Sequence, residues 1–457
     1  MKHTLPSRGS GEIAVLGLGK SGAAAAALLR SRNYAAYVCD GSDSAALRER
    51  AVVLQSKGVT VQLGGYDLER IARAALVVVS PGIPPEAAPV TVAIKSGMDV
   101  VSEIELALRA VPELRYIAVT GTNGKTTTTA LIGHLLRALG ARAPDAGNIG
   151  TPLSEVLLGD QLPDCVALEL SSFQLHDTPS VDPAVGVLTN LSADHLDRYG
   201  SVDEYFADKA LMFQNASSDS RWILNADDAR SLQLAENVDG THLRFSVRTR
   251  ADAWYDRAAG ALQILGHEIL PRADLALLGD HNVANALAAG LAVMCTAPEY
   301  RSEEARVHIS AALRSFQALA HRLELVGEWG GVQWINDSKA TNVDSTHVAI
   351  AGMTRPTVLL LGGRHKGEPY TGLAEVARTH VKHILAYGEA AATVESDLRG
   401  VVPLERVDGA FDEVVARARG VADDGDAVLL SPACSSYDMF NNYMARGERF
   451  RALAGPQ

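Results

Sequence analysis

The sequence has few cysteines, and those that it has lie far apart. Only four occur in the chain, at Cys39, Cys165, Cys295 and Cys434. This spacing fits neither a zinc site nor a disulfide framework. We therefore expect reduced thiols, which are typical of cytoplasmic proteins.

Clustered positive charge and long apolar runs are also lacking. The formal net charge is −12, with no long basic run. We therefore expect no nucleic-acid partner, because binding to a phosphate backbone requires a clustered positive surface. The segment 1–11 lacks the apolar core of a secretory signal, and apolar stretches such as Ala23–Leu29 are too short to span a bilayer. These absences predict a cytoplasmic protein that does not enter a membrane.

What the sequence does have is a repeated alternation of short apolar runs with helix-like stretches. Its 457 residues, 47% hydrophobic and 21% charged, are an ordinary globular mixture with room for several cores. The alternation predicts α/β domains with parallel, doubly wound sheets. We expect three domains, at residues 1–112, 113–318 and 319–457, with boundaries near Pro112 and Ala318–His321.

The same pattern predicts individual elements. The clearest predicted strands are Glu12–Leu16, Leu76–Val79, Cys165–Leu170, Ala184–Leu188, Val332–Ile335 and Ala427–Leu430. The clearest predicted helices are Ser21–Arg30, Thr128–Leu139, Gly279–Cys295 and Tyr437–Leu453.

A phosphate-binding loop is the strongest motif in the chain. The apolar run that starts at Tyr116 ends in Gly121-Thr-Asn-Gly-Lys-Thr126, and a helix-like stretch follows. Such a turn places backbone N–H groups, a helix N-terminus and an ammonium around a polyphosphate. Lys125 would reach the outer phosphates, and Thr126 would offer its hydroxyl to Mg²⁺. The usual first glycine of this motif is replaced by Val119.

A second glycine-rich turn lies near the start of the chain. Gly17-Leu-Gly-Lys-Ser-Gly22 follows a predicted strand, and Asp40 ends the next one. This context is typical of dinucleotide binding, and an NAD enzyme is one reading. The same turn also holds any nucleoside diphosphate. Together with the loop at Gly121–Thr127, it favours a nucleotide-linked substrate in one domain and a phosphoryl donor in another.

Three further side chains in the second segment are candidates for chemistry. Glu169 ends a predicted buried strand, where a carboxylate needs a neutralising partner such as phosphate-bound Mg²⁺. His195 follows another strand beside two acids and is a metal ligand, an acid or base, or a surface histidine. Lys209 lies in an amphipathic stretch, and the pattern alone predicts a solvated helix residue.

Polar residues also gather at a helix start and after strands of the last segment. Asn282 and Asn285 are helix caps or amide contacts to a base. The loops at 336–342, 361–366 and 431–438 supply cations, hydroxyls and acids at strand ends, where open α/β sheets bind ligands. Together they predict a site for a small acidic substrate.

These motifs in combination resemble the Mur ligases, the ATP-dependent amide-forming enzymes of peptidoglycan precursor synthesis. The loop Gly121–Thr126 is similar to that family's phosphate loop, including the missing first glycine. The resemblance extends over essentially the whole chain, and within the family it is strongest to the members that add D-glutamate to UDP-N-acetylmuramoyl-L-alanine. The segments that carry it are Gly17–Gly22, Leu168–Gln174, Asp337–Asn342 and Ser431–Cys434.

The resemblance implies a fold and a set of roles. The domains would be an N-terminal Rossmann-like domain, a central P-loop ATPase-like domain and a C-terminal Rossmann-like domain. ATP would contact Gly121, Thr122, Asn123, Gly124, Lys125, Thr126, Thr127, Asn282, Arg322 and Asp337. The substrates would contact Gly17, Gly19, Ser21, Gly22, Asp40, Ser80, Gly82, Asn148, Lys339, Thr341, Lys366, Ser436 and Tyr443.

It also implies a metal site and a reaction. Two Mg²⁺ ions would be held with Thr126, Glu169, His195 and a carbamylated Lys209, and the catalytic residues would be Lys125, His195 and Lys209. A monomer would form an acyl phosphate and then an amide. The alternatives are a ligase that adds another amino acid or is of the folylpolyglutamate type, an NAD-dependent oxidoreductase built on Gly17–Gly22, and a nucleotide-binding module without catalysis. The Gly17–Gly22 domain and the Asp337–Asn342 loop argue against the folylpolyglutamate type, and an oxidoreductase leaves the Gly121–Thr127 loop unexplained.

Overall fold

The computed structural model describes residues 4–148, 150–194 and 199–455. Three separate sheets, each covered by helices, succeed one another along the chain. The α/β class and the three-domain organisation predicted from the sequence are confirmed. The residue at which one domain passes into the next stays a prediction. In the described ranges, none of the helices has the length and apolarity needed to cross a membrane.

The N-terminal sheet is fully parallel, with strand order β3-β2-β1-β4-β5. Buried aliphatic residues of β1 and β4 face helices on both sides of this sheet. Its strands are β1 (Ile13–Leu16), β2 (Ala36–Asp40), β3 (Thr60–Leu63), β4 (Leu76–Val79) and β5 (Val100–Ser102). Its helices are α1 (Lys20–Ser31), α2 (Ala45–Ser56), α3 (Leu68–Ile71), α4 (Ala88–Lys95) and α5 (Glu103–Ala110).

The central sheet has nine strands in the order β14-β13-β12-β11-β10-β9-β6-β8-β7. Its strands are β6 (Tyr116–Thr120), β7 (Asp145–Gly147), β8 (Val166–Glu169), β9 (Val185–Leu188), β10 (Arg221–Asn225), β11 (Thr241–Ser246), β12 (Ala253–Asp256), β13 (Ala261–Ile264) and β14 (His267–Pro271). Its helices are α6 (Lys125–Ala138), α7 (Leu153–Val156), α8 (Ser172–His176), α9 (Val202–Ala210), α10 (Ala229–Leu234), α11 (Asp280–Thr296) and α12 (Glu303–Ser315).

The C-terminal sheet has six strands in the order β15-β16-β20-β17-β18-β19. Its strands are β15 (Glu324–Trp329), β16 (Val332–Asn336), β17 (Thr357–Gly362), β18 (Val381–Tyr387), β19 (Leu404–Val407) and β20 (Ala427–Leu430). Its helices are α13 (Val343–Ala351), α14 (Ala374–His380), α15 (Ala391–Leu398), α16 (Phe411–Val421) and α17 (Tyr443–Ala454).

The strands with continuous apolar runs were predicted nearly to the residue, whereas others were missed. The pairs β12–β13, β13–β14 and β15–β16 are antiparallel, so two of the sheets are mixed rather than wholly parallel. The last helix begins at Tyr443, not at residue 437 as predicted. The reason is local: the side chain of Asn442 accepts a hydrogen bond from Ala445 N and caps the helix there.

A buried ionic cluster joins the N-terminal and central domains. Glu105 is fully buried, and its Oε1 accepts hydrogen bonds from Arg109 Nε at 2.6 Å and Ser180 Oγ at 2.8 Å. Its Oε2 accepts from Ser180 N at 2.8 Å. Apolar side chains of α1 and α5, including Leu28 and Ile104, complete the junction by packing into the central core.

We expect Glu105→Ala to destabilise the protein strongly. The substitution leaves the buried guanidinium of Arg109 without its closest counter-charge, a loss that costs ~3–5 kcal/mol. The matched control is Glu69→Ala, which removes an exposed ion pair to Arg73 and should cost less than about 1 kcal/mol. Thermal and urea unfolding of the two variants measure this, and equal unfolding midpoints would contradict the assignment.

Candidate functional site

The phosphate loop joins the end of β6 to the start of α6. Gly121 and Gly124 have φ angles of 138° and 81°, which favour glycine. A Cβ on Gly121 would lie 2.0 Å from Thr189 Oγ1, and one on Gly124 would lie 2.4 Å from Asn285 Oδ1. Neither position accepts a side chain, so the loop keeps the shape of a cradle. Val119, in place of the usual first glycine, is a fully buried residue of β6.

Two lysine ammonium groups meet at one carbonyl of this loop. Lys125 Nζ donates to Gly121 O at 3.0 Å and to Thr122 O at 2.7 Å. Lys209 Nζ donates to the same Gly121 O at 2.7 Å. Burial lowers the pKa of both lysines, and the charge of Lys125 lowers the pKa of Lys209 further, to well below its usual value. The loop thus holds one cation beside an amine that is driven toward its neutral form.

The position of Lys209 corrects the prediction of a solvated helix residue. Only 1% of Lys209 is exposed, and its Nζ lies 4.4 Å from the ring centroid of Tyr205. Tyr205 precedes Lys209 by four residues and therefore lies on the same face of α9. The burial of Tyr205 is itself a feature of the tertiary structure, so the local sequence pattern did not indicate the burial of the lysine.

Glu169 ends β8 next to the phosphate loop, and it is 1% exposed. Its Oε1 accepts a hydrogen bond from Asn148 Nδ2 at 2.8 Å. Its Oε2 is buried and has no hydrogen-bond partner among the residues that the structure describes. An unpaired carboxylate oxygen in the interior is what a bound cation satisfies.

The oxygen donors near Glu169 fit Mg²⁺, which combines carboxylate oxygens with phosphate oxygens and water. The hydroxyl of Thr126 is the second donor, and Arg322 Nη2 donates to it at 2.6 Å. His195 lies outside the described residues. In the described part of the chain, no group of three or more His, Cys, Asp and Glu forms a ready metal cluster, so phosphate oxygens would have to complete the shell.

The C-terminal domain supplies a second set of charged groups. Asp337 accepts hydrogen bonds from Leu323 N at 3.1 Å and Ser431 Oγ at 2.9 Å, and burial raises the pKa of Asp337 to about 7. Lys339 Nζ lies 4.1 Å from the ring centroid of Tyr443. Burial, followed by the charge of Arg322, lowers the pKa of Lys339 to about 8.

Side chains at the start of α13 dock directly on the phosphate loop. Asn123 Nδ2 donates to Asp344 Oδ2 at 2.7 Å, and Ser345 Oγ donates to Asn123 Oδ1 at 2.7 Å. Ser192 Oγ donates to Asp344 Oδ2 at 2.9 Å. Sequence reasoning missed Asp344 and Ser345, for which the only signal was their place just beyond the polar loop 336–342.

Two cavities meet at this junction between the central and C-terminal domains. The larger has a volume of about 840 Å³ and the smaller of about 240 Å³. Asn123, Gly124, Arg322 and Lys339 line both. The predicted residues that line only the larger are Thr127, Asn282 and Asp337. Those that line only the smaller are Thr122, Lys125, Thr126, Asn148, Glu169, Lys209, Thr341 and Lys366.

The two asparagines of α11 are not its caps. Gly279 occupies the N-cap position. Asn282 Nδ2 donates to Leu278 O at 2.8 Å, and its Oδ1 accepts from Asn285 Nδ2 at 3.1 Å. The cap reading is therefore wrong for both residues, and the contact between their amide groups and a base stays a prediction.

Gly121 and two further groups of predicted residues lie outside both cavities. Ser436 is buried and lines neither, and Tyr443 approaches the site through Lys339. In the N-terminal domain, Asp40 accepts hydrogen bonds from Leu18 N at 2.8 Å and Ser42 N at 2.9 Å, which holds the glycine loop. The residues predicted in the N-terminal domain line neither cavity; they are Gly17, Gly19, Ser21, Gly22, Asp40, Ser80 and Gly82.

Comparison with protein families matches all three domains. The Mur ligase MurD-like N-terminal domain matches residues 11–102, the Mur ligase middle domain matches 119–293, and the Mur ligase glutamate ligase domain matches 321–434.

Individual proteins extend the match to nearly the full length. The UDP-N-acetylmuramoylalanine--D-glutamate ligase of Anaeromyxobacter dehalogenans is 40% identical over 459 residues, which cover 97% of each chain. That of Acidobacterium capsulatum is 39% identical over 448 residues, covering 97% of this chain and 95% of the relative.

Two solved structures share the fold. A pseudomurein peptide ligase type C from Methanothermus fervidus has a TM-score of 0.64 at 19% identity, and the UDP-N-acetylmuramate-alanine ligase of Thermotoga maritima has 0.62 at 17%. Each comparison covers 97% of this chain and 99% of the other. With the near-full-length identity to the two glutamate ligases, these findings show that the chain belongs to the Mur ligase family.

Proposed function

We propose that this protein joins D-glutamate to UDP-N-acetylmuramoyl-L-alanine at the expense of ATP. The observation that carries the proposal is the pair of cavities that meet at Asn123, Gly124, Arg322 and Lys339. One has room for a nucleotide, and the other is lined by cations and by the unpaired oxygen of Glu169. The names of the relatives at 39% and 40% identity support the choice of substrates.

ATP would lie in the larger cavity, with its phosphates directed into the smaller. The base would contact Asn282, and Asp337 and Arg322 would hold the nucleotide from the C-terminal side. The loop from Gly121 through Thr122, Asn123, Gly124, Lys125 and Thr126 to Thr127 would surround the phosphates. Lys125 would turn from the Gly121 carbonyl to the outer phosphates, where its charge stabilises the transferring group.

Magnesium fits the same corner of the site. Thr126, Glu169, His195 and a carbamylated Lys209 would hold it at two sites, and the ions would neutralise phosphate charge. Carbamylation requires an amine that is uncharged. The burial of Lys209 and its lowered pKa supply that amine, and the product carboxylate removes the repulsion from Lys125.

The acceptor substrate would span two domains. Its UDP end would bind at Gly17, Gly19, Ser21, Gly22, Asp40, Ser80 and Gly82, and its alanyl carboxylate would enter the smaller cavity near Asn148. D-glutamate would bind from the opposite side, with Lys339, Thr341 and Lys366 meeting its carboxylates and Ser436 and Tyr443 nearby. The excess of lysine and arginine over acids in this lining suits an anionic amino acid.

The reaction would proceed in two displacements. The alanyl carboxylate attacks the γ-phosphate of ATP, releasing ADP and leaving an acyl phosphate. The amine of D-glutamate then attacks the acyl carbon, so that phosphate leaves and the amide forms. The docking of α13 on Asn123 would keep water from the acyl phosphate.

The protein would act as a monomer. The supply of ATP and four free, buried cysteines agree with a cytoplasmic site of action. The boundaries near residues 112 and 318 would be where the domains hinge to admit substrates.

The function is tested by ADP formation with the UDP-linked acceptor and a panel of amino acids. We expect turnover with D-glutamate and none with L-glutamate or L-alanine. Turnover with a different amino acid would assign the chain to another Mur ligase reaction, and acceptor-independent ATP hydrolysis would contradict the proposal.

We expect Lys125→Ala to lower kcat by roughly 100-fold or more, because it removes one preorganised charge from the transferring phosphoryl group. The matched control is Lys95→Ala, which removes an exposed lysine at the end of α4 and should leave kcat unchanged. Both variants should unfold at the wild-type temperature. A Lys125→Ala enzyme with normal turnover would refute the phosphate-loop assignment.

We also expect activity to depend on carbon dioxide. Carbamylation of neutral Lys209 is reversible, so turnover should fall in buffer freed of carbon dioxide and recover when bicarbonate is added. Lys209→Ala should be inactive in both buffers. Isotope-labelled bicarbonate should give a carbamate signal in the wild type only, and normal activity of Lys209→Ala would exclude this role.

A further inference from the structure

A buried arginine that no role above uses lies beneath the loops of the smaller cavity. Arg446 belongs to the first turns of α17 and is 1% exposed. Its Nε donates to Ser338 Oγ at 2.9 Å, and its Nη2 donates to Ser338 O at 2.8 Å and to Cys434 O at 3.1 Å. Its Nη1 donates to Ser435 O at 3.4 Å. One guanidinium therefore joins the loop after β16 to the loop after β20.

The loop after β17 joins the same cluster. Arg364 N donates to Ser435 O at 2.9 Å, so this carbonyl accepts from both Arg364 and Arg446. Gly363 has a φ of 132°, and a Cβ there would lie 2.4 Å from Ser435 O and 3.1 Å from Arg446 Nη1. The close approach of the three loops around the guanidinium leaves no room for a side chain at Gly363.

The acceptors of Arg446 in the described part of the chain are all neutral oxygens. A guanidinium does not lose its proton in proteins, and a buried charge needs compensation. Here several hydrogen bonds supply the direct compensation, and the carboxyl of Asp337, in the same loop as Ser338, also interacts with the guanidinium.

Each of the three loops also carries a proposed contact to the amino acid substrate. Lys339 follows Ser338, Ser436 follows Ser435, and Lys366 is two residues beyond Arg364. A shift in any loop would therefore move one of these groups relative to the other two. The planar guanidinium, with donors in several directions, reaches two of these loops directly, and the third is held through the shared Ser435 carbonyl.

We propose that Arg446 is a positioning residue for the acidic amino acid: it fixes the loops after β16 and β20 relative to each other, and the Ser435 carbonyl that it shares with Arg364 N holds the loop after β17 to them. This inference rests on the proposed function for its choice of substrate. Its structural part, the fixing of the loops, does not depend on that choice.

The test compares Arg446→Lys with Arg449→Lys. Arg449 lies on the same helix, but it is exposed and pairs with Asp412. Lysine keeps the positive charge but lacks the several N–H donors of the guanidinium. Arg446→Lys should therefore raise KM for D-glutamate roughly tenfold or more, which is the effect of losing one hydrogen bond to a charged group. KM for ATP and for the UDP-linked substrate should stay within about twofold of wild type. The loss of a hydrogen bond to either substrate would change its KM about tenfold, and the substitution removes no such bond. Arg449→Lys should change none of these values.

Ser338→Ala serves as the milder variant if Arg446→Lys folds poorly. It removes only the hydroxyl that accepts from Arg446 Nε and donates to Tyr443 O at 2.8 Å. We expect a smaller rise in KM for D-glutamate, in the same direction and again without a change in KM for ATP. A loss of kcat with unchanged KM values in both variants would mean a merely structural role and would overturn the proposal.

Amide hydrogen exchange separates this inference from the proposed function. In Arg446→Lys, exchange should become faster in segments 337–342, 362–367 and 431–436, and it should stay unchanged in the phosphate loop. This result in an enzyme that does not use D-glutamate would refute the substrate and keep the positioning role. Unchanged exchange in all three segments would refute the positioning role itself.

Discussion

The carbonyl oxygen of Gly121 is the point on which the site depends, because two buried ammonium groups donate to it. Burial lowers the pKa of Lys209 to well below its usual value, and the neighbouring charge of Lys125 lowers this pKa further. The result is a loop with a positive charge at Lys125 beside a buried amine, an arrangement that suits an anion such as phosphate. The unpaired oxygen of Glu169, on the neighbouring strand, then calls for a cation beside it. This distribution of charge suits an ATP-dependent ligase of peptidoglycan precursors.

The two outer domains differ in how firmly they are attached to the central domain. The N-terminal domain is fixed to the central one through Glu105, Arg109 and a shared apolar core. Separating the two domains would break a buried ion pair and expose apolar surface, which has a high free-energy cost. The C-terminal domain meets the central one at the site chiefly through polar side chains, such as those between Asn123 and Asp344 or Arg322 and Thr126. Water can replace polar contacts of this kind at small cost, so the second junction is the one suited to opening and closing.

Much of the candidate site follows from the sequence because its residues lie at the ends of apolar strands. Glu169 ends β8 and the phosphate loop follows β6, and parallel neighbours bring such ends together. Residues that belong neither to a motif nor to the end of an apolar strand could not be predicted in this way. Lys209 was predicted on a solvated face, Asp344 and Ser345 had no motif, and Arg446 looked like one of several arginines on a polar helix. Burial of a charged residue is set by what packs over it from other elements, which no local pattern records.

The sequence by itself determined the α/β class, the three domains, the phosphate loop and the family to which the chain belongs. These features are encoded in runs of adjacent residues, where strand-forming stretches, glycine turns and helix starts have direct physical signatures. Only the tertiary structure decided that Lys125 and Lys209 share one carbonyl, that α13 docks on Asn123, and that Arg446 joins the loops after β16 and β20. Each of these joins residues far apart in the chain, and their distances depend on how the sheets and helices pack rather than on any segment alone.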